Sequence, residues 1–550
     1  MNNKLEKIFL EIFKSKAKSR DDLGMVNRRL VKKYKRKMLT GAELVQGYQF
    51  LVNKGKIKPD EKWERLIRKR SVRTLSGIAP VAVLTRAYPC PGKCAYCPTE
   101  KNVPQSYLSN EPAVMRAIRC NYDPYVQVQD RLRALVNNGH NPTKIELIVI
   151  GGTWSCLPRK YKYWYVVNLF AAANKFKETR NLPAGKAGIS GLLRPEYSGL
   201  AMTNLEKILL KEQKKNEKAK YKIIGLTLET RPDYINEKEL EEMRELGCTR
   251  VEIGVQAIDD KILKLNKRGH GVKEIIDATC LLKNYGFKVT YHLMPGLPGS
   301  SAKKDLEMFK QLFNDERFQP DQIKFYPTVV TRGSLLYRWW QQGKYKPYSD
   351  KTLQNLIIEC KKQVPKYVRI IRLIRDIPGE SIIAGNLITN LRQVMKDQGV
   401  KCNCIRCREA GDKSIKNYEL SITNYRASGG EEYFISYESR DGKVLYGFCR
   451  LRLSHNPQLI TRNPQPITHN FFNNVAIIRE LHIYGELVSV GEKKRVQHAG
   501  LGKKLLQEAE KIAQEKGYEK MIIISGVGVR NYYRKLGYKL ENTYMVKNLT

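Results

Sequence analysis

The rhythm of apolar positions changes twice along the 550 residues. The first 75 residues read largely helical. From about residue 80 short β-rich runs alternate with helical stretches: VAVLTR at 81, IELIVIGG at 145, KIIGLTLET at 222, RVEIGVQ at 250, KVTYHLMPG at 288 and QIKFYP at 322. Six strands with intervening helices predict parallel βα units, hence an open or partial (β/α)6 barrel, with its active site at the strands' C-terminal ends. From about Tyr418 a third unit begins with YFISYE and KVLYGFCRLRL. It continues through a polar Asn/Pro loop near 454–474 to IIRELHIYG, a helix starting near Gly502 and a strand IIISGVGV. A Gly/Pro-rich segment over 181–200 predicts a surface loop or insertion, and no internal repeat is evident. The expected organisation is a helical module over 1–75, the barrel over 76–375, a linker over 376–417 and a final α/β domain over 418–550.

At roughly 150 residues per domain this length accommodates about three units, and 42% hydrophobic residues give each a core. Charge changes the picture more. With 99 Lys+Arg against 55 Asp+Glu the net charge is +44, which suits a polyanionic partner, nucleic acid first among them. A merely solvated surface is the plainer alternative. Residues 1–75 alone carry 22 Lys/Arg and 8 Asp/Glu. The run RRLVKKYKRK at 28–37 is expected to set cations on several helix faces, for phosphate contact more than for sequence readout. No apolar run approaches the 18 or so residues of a membrane span. The N-terminus lacks a signal peptide's apolar core, so a cytoplasmic protein without membrane attachment is expected. Six of the 12 Cys fall in two tight clusters, which fits a reducing compartment better than a disulfide framework.

Cys90, Cys94 and Cys97 form C-x3-C-x2-C directly after the first barrel strand. Three thiolates so spaced can hold three corners of a [4Fe-4S] cluster and leave one iron for another ligand. The arrangement, with Tyr96 before the last Cys, resembles the radical S-adenosylmethionine superfamily. Zinc would need a fourth ligand, and no His or Cys follows until Cys120. Gly151 and Gly152 follow the strand IELIVI, where missing side chains admit a ligand to the backbone. In that superfamily such a pair holds the methionyl amino group.

Gln497, Gly500 and Gly502 lie in QHAGLG, which runs into the amphipathic helix KKLLQEAEKIAQEKGY. Backbone N–H groups at a Gly-permitted helix start make an anion site, as the pyrophosphate of coenzyme A needs. The pattern resembles the Q-x-x-G-x-G loop of GCN5-related N-acetyltransferases (GNAT). Tyr532 and Tyr533, in NYYRKLGY, offer an aromatic to meet a thioester; alternatively they are core residues.

With both halves in one chain, the sequence resembles the catalytic subunit of Elongator, the tRNA uridine(34) acetyltransferase or tRNA carboxymethyluridine synthase family. SGIAPVAVLTRAYPCPGKCAYCP, EPAVMRAIRCNYDPY, CNCIRCREAG, RELHIYGELV and SGVGVRNYYRKLGY carry the likeness, from about residue 70 to the end. The resemblance implies carboxymethyl formation at C5 of the wobble uridine of a tRNA anticodon loop. It implies a [4Fe-4S] cluster, S-adenosylmethionine, acetyl-CoA and an external reductant or electron-donor protein. By the same carry-over, Lys144 contacts acetyl-CoA from the barrel, and Glu480, Leu481, His482 and Ile483, with Leu501, Gly502 and Lys503, bind it in the GNAT domain. Tyr533 would then stand near the thioester. Cys402, Cys404 and Cys407 form C-x-C-x2-C in the linker and imply zinc, with Cys360 or a distant His as fourth ligand; a second iron-sulfur cluster or free thiols are the alternatives. The three-residue gap between Cys90 and Cys94 implies a bacterial or archaeal type acting without other Elongator subunits, and the insertion over 181–200 departs from the family pattern. Two rivals remain from the sequence: a protein lysine acetyltransferase with a structural cluster, and a non-catalytic tRNA-binding platform.

Overall fold

The computed structural model describes residues 3–15, 17–68, 77–177, 201–388, 390–411, 417–454, 472, 474–485 and 500–549. The Gly/Pro-rich segment 181–200, nearly all of the Asn/Pro loop and Gln497 lie outside them.

Four helices, Asn3–Lys14, Arg20–Lys33, Gly41–Asn53 and Glu61–Ile67, build the N-terminal module. Ser19 and Thr40 cap the second and third with reciprocal capping boxes. Its core is its own: Phe13 packs edge-on against Tyr48 and Trp63, each at 5.2 Å. The basic run at 28–37 is not one helix as expected, because Tyr34 caps the second helix and Lys35 turns to φ +47°. Its last cations sit in the turn.

The barrel strands are β1 (Ala79–Leu84), β2 (Lys144–Ile150), β3 (Lys222–Thr230), β4 (Arg250–Gln256), β5 (Lys288–Leu293) and β6 (Gln322–Phe325). After the short β7 (Val330–Thr331) comes β8 (Arg369–Arg372), parallel to β6, which adds a seventh strand to the six expected. The order β1-β2-β3-β4-β5-β6-β8 does not close, so β1 and β8 are edges. β9 (Ile382–Ala384) pairs only with β7. Alternate residues of each strand point to opposite faces. Val251, Ile253 and Val255 are fully buried in the core cluster, while Arg250, Glu252, Gly254 and Gln256 line the interior.

The C-terminal sheet contains β10 (Tyr418–Ala427), β11 (Gly430–Ser439), β12 (Leu445–Leu453), β13 (Val475–Ile483), β14 (Lys520–Ile523), β15 (Lys539–Glu541) and β16 (Tyr544–Asn548). Their order is β10-β11-β12-β13-β14-β16-β15, with only β13 and β14 parallel. The helix Leu501–Glu515 buries Leu505, Leu506, Ala509 and Ile512 against it.

Charge joins the two α/β domains. Arg479 donates from Nη1 and Nη2 to Asp321 at 2.8 and 2.5 Å and, from Nε and Nη2, to Glu432 at 3.1 and 3.0 Å. Lys283 lies 3.6 Å from Asp321 and 3.5 Å from Glu432, and every one of these side chains is fully buried. SGVGV does not extend β14 as expected. The strand ends at Ile523, and a Cβ on Gly526 would lie 2.0 Å from the Ile224 carbonyl oxygen of β3. Glycine there lets main chain rest on main chain.

Candidate functional site

The loop after β1 carries the first cysteine triad. Arg268 donates from Nη1 to Cys94 Sγ at 3.3 Å and from Nη2 to the Gly254 carbonyl at 2.6 Å. The hydrogen bond from Cys97, and then Arg268, outweigh burial and push the Cys94 thiol down to about 5. Cys90 Sγ stands 3.9 Å from Thr153 Oγ1. The three sulfurs do not all lie within 4.8 Å of one another. Buried Arg231 Nη1 and Arg268 Nε have no hydrogen-bond partner among the described residues, so the donors fit an anionic group. Gly151 and Gly152 take φ +135° and +99°, and a Cβ on Gly151 would strike Thr85 Oγ1 at 2.1 Å. Gly152 lines the cavity.

At the other end of the barrel, the C-terminal sheet opens. β13 pairs with β14 only through Ile478 and Ile523, and beyond them the strands diverge over residues 480–483. Gly500, at φ +77°, starts the helix Leu501–Glu515, and a Cβ on Gly502 would meet the Tyr532 hydroxyl at 2.9 Å. Where β13 runs on past its pairing with β14, beside the start of this helix, the sheet leaves a cleft suited to an extended amide chain with a phosphate head. One cavity of about 1750 Å³ reaches both ends: Cys90, Cys94, Cys97 and Gly152 line one, and Arg450, Glu480 and His482 the other.

Residues 87–312 match the Radical SAM superfamily, 320–398 the Radical_SAM C-terminal domain, and 405–538 the Acetyltransferase (GNAT) family. The chain is 42% identical over 492 residues to a tRNA uridine(34) acetyltransferase of Dehalococcoides mccartyi (strain CBDB1), covering 88% of this chain and 100% of that protein. The chain belongs to the tRNA uridine(34) acetyltransferase family. Elongator complex protein 3 of Homo sapiens is 38% identical over 507 residues, covering 88% of this chain and 86% of that protein. The solved structure of archaeal Methanocaldococcus infernus Elp3 with an N-terminal deletion superposes with TM-score 0.68 at 38% identity, covering 86% of this chain and 99% of that one.

The family residues expected from sequence fall unevenly on this site. Lys144 opens β2 on the same strand face as Glu146, at the end nearer the GNAT domain, and burial lowers its ammonium pKa. Glu480 does not present a free carboxylate: it accepts from Arg450 Nε at 3.1 Å and from Lys288 Nζ of β5 at 3.3 Å. Burial would raise its carboxyl, but Lys288 and Arg450 outweigh it and hold it at about 2. What residues 480–483 offer a cofactor is therefore mainly backbone. His482 stacks on Phe448, with ring centroids 6.0 Å apart, and lies 4.3 Å from Tyr484; burial lowers its pKa. Leu481 and Ile483 pack against the GNAT core, and Leu501 is buried in the larger core. Lys503 lies in the first turn of the helix that Gly500 starts. Tyr533 is buried in the GNAT core beside Tyr538, whereas Tyr532 is 41% exposed and stands at the helix start. Of the two tyrosines, the one at the opening is Tyr532.

The sulfurs of Cys402, Cys404 and Cys407 all lie within 4.8 Å of one another. One tetrahedral ion with bonds near 2.3 Å sets its sulfurs about 3.8 Å apart, so this triad fits a single metal. Cys360 is not beside it: that thiol is buried in the helix Asp350–Gln363, and among the described residues no fourth His, Cys, Asp or Glu joins the group. Cys402 and Cys407 also line the large cavity.

Sequence reasoning missed the barrel's charged interior. His292 Nε2 lies 2.9 Å from Glu252 Oε2 and its Nδ1 3.6 Å from Glu229 Oε1; Tyr107 donates to Glu229 Oε2 at 3.1 Å. Lys324 also donates to Glu252. In KVTYHL and QIKF these residues look like ordinary strand positions, and only the parity of a parallel barrel turns them inward.

Proposed function

We propose that this chain forms the carboxymethyl group at C5 of the wobble uridine in tRNA, taking its carbons from acetyl-CoA. The single observation that carries the reading is the continuous cavity joining the cysteine triad to Glu480 and His482 of the GNAT sheet. S-adenosylmethionine on a [4Fe-4S] cluster, when bound, supplies a 5'-deoxyadenosyl radical able to break an unactivated C–H bond. Cys90, Cys94 and Cys97 would hold that cluster, with Arg268 and Arg231 balancing its charge and Gly151 and Gly152 leaving room for the nucleotide. The cleft of residues 480–483 and 500–503 would hold acetyl-CoA, with Lys144 reaching it from the barrel. Cys402, Cys404 and Cys407 would hold zinc and fix the linker between the domains. The open edge between β1 and β8 gives an unstacked base a way in, and Arg372, Arg375, Arg392 and Arg406 at the cavity wall supply cations for its phosphates. An external reductant completes the set.

The deciding experiment is nucleoside mass spectrometry of tRNA incubated anaerobically with reconstituted protein, S-adenosylmethionine, reductant and isotopically labelled acetyl-CoA. Label is expected in carboxymethyluridine. A labelled peptide lysine in place of labelled tRNA would overturn the reading.

A further inference from the structure

Within the barrel, on the wall of the cavity that reaches both the cysteine triad and Glu480, one carboxylate is only half used. Glu252 is fully buried and lines the cavity. Its Oε2 accepts from His292 and Lys324, but Oε1 has no hydrogen-bond partner among the described residues; Arg250 Nη2 is 3.9 Å from it. Burial would raise the carboxyl, but Lys324, then His292, outweigh that and hold it well below the usual carboxylate range, so both oxygens are acceptors. Donors surround this acceptor. Arg250 Nε is buried without a partner while Nη1 is occupied by Gln322 at 3.2 Å and Glu146 at 3.0 Å. Lys324 carries three N–H groups, of which Glu252 takes one. A buried carboxylate oxygen left unpaired costs its full desolvation, and a ligand N–H would remove that cost.

We propose that Glu252 reads the target base: its free oxygen accepts the N3–H of uracil, while Arg250 and Lys324 donate to the carbonyl oxygens on either side. This deepens, and rests on, the reading of the chain as a wobble-uridine enzyme. The Watson–Crick edge of uracil runs acceptor, donor, acceptor; the site offers a carboxylate acceptor with donors from Arg250 and Lys324 beside it. Cytosine would turn a lone pair on N3 towards the carboxylate and an amino group towards a cation. Guanine would likewise set its exocyclic amino group against a cation, and phosphates are repelled by the carboxylate itself. The match is therefore to uracil rather than to nucleic acid in general.

The test uses the full chain, reconstituted anaerobically, and anticodon stem–loops carrying uridine, cytidine or 3-methyluridine at the wobble position. Binding is read by fluorescence anisotropy and turnover by 5'-deoxyadenosine release. Uridine is expected to exceed both others roughly ten- to a hundredfold, the range of one good bidentate base contact. Glu252→Gln should bring the uridine-to-cytidine ratio towards one while salt-sensitive binding of the stem–loop persists; a purely structural Glu252 would lower affinity for every stem–loop alike. Equal binding of uridine and 3-methyluridine by the parent chain, or an unchanged ratio in Glu252→Gln, overturns the inference. Should the variant fail to fold by thermal melt, the 3-methyluridine comparison on the parent decides alone. Carboxymethyluridine formed without base selectivity at Glu252 defeats only this inference, whereas no modified uridine under any condition defeats the function as well.

Discussion

Replacing Asp321 with Asn tests whether the charge network fixes the two α/β domains together. Asp321 is fully buried, accepts two hydrogen bonds from Arg479 and one at 2.8 Å from the Val289 amide, and lies 3.6 Å from both Lys283 and Arg450. Asparagine keeps the shape but turns an amide donor towards cations and removes the charge that balances them. Breaking a buried ion pair by deleting one partner costs about 3–5 kcal/mol. How that appears as a melting shift depends on the cooperative unit. With unfolding entropy near 2.1 cal/mol/K per residue, about 4 kcal/mol lowers Tm by ~4 °C if the barrel and GNAT domain melt together, and by ~15 °C if the GNAT domain melts alone. The assay is differential scanning calorimetry with the Arg479→Gln partner and the double variant, whose combined loss should fall short of the sum. The pH dependence is also fixed. Burial would raise the Asp321 carboxyl, but Arg479 and then Lys283 hold it far below the ordinary range. Its stabilisation is present above the unfolded-state pKa of about 4 and is lost only as pH falls below that value towards the folded one. The gap between parent and variant must therefore not shrink from pH 7 to pH 5.5. A parental melting curve for Asp321→Asn, or a gap that shrinks across that interval, refutes the argument.

Cys97→Ala should abolish 5'-deoxyadenosine release and leave tRNA affinity unchanged, measured by chromatography and filter binding. Cys404→Ser should remove bound metal, read by elemental analysis of purified protein, because the three thiolates share one ion. Lys283 is pushed down to about 8 from 10.5, by burial and then by Arg479. The unfolded chain binds the extra proton between those values, so stability should rise with pH across that window by up to about 3 kcal/mol; urea titrations of Lys283→Met should show no such rise. Gly526→Ala should lower Tm by several degrees, since its methyl cannot avoid the Ile224 carbonyl.

Much of this architecture was legible because strong patterns coincide with real elements. KIIGLTLET and RVEIGVQ are β3 and β4 residue for residue, and the strand order follows from the alternation of strands and helices. The cysteine spacings announced both triads. RIIR, which forms β8, was missed because two arginines flanking two isoleucines look like a basic surface run rather than an edge strand. SGVGV misled for the opposite reason: its valines favour a strand, but its glycines serve a contact made from another domain. The roles of Glu480 and Tyr533 were less visible still. Which carboxylate is already taken is decided by Lys288, 192 positions away, and which of two adjacent tyrosines faces the opening by how the chain folds Tyr533 against Tyr538.

The contact of Gly526 with β3 has a bearing on ancestry. Where main chain meets main chain, neither partner can be exchanged for a generic version of its fold, since a single methyl group would wedge the halves apart. Substitutions that shift one half against the other must then be matched across this seam. Changes in loops and interior side chains leave the separation between the two halves intact.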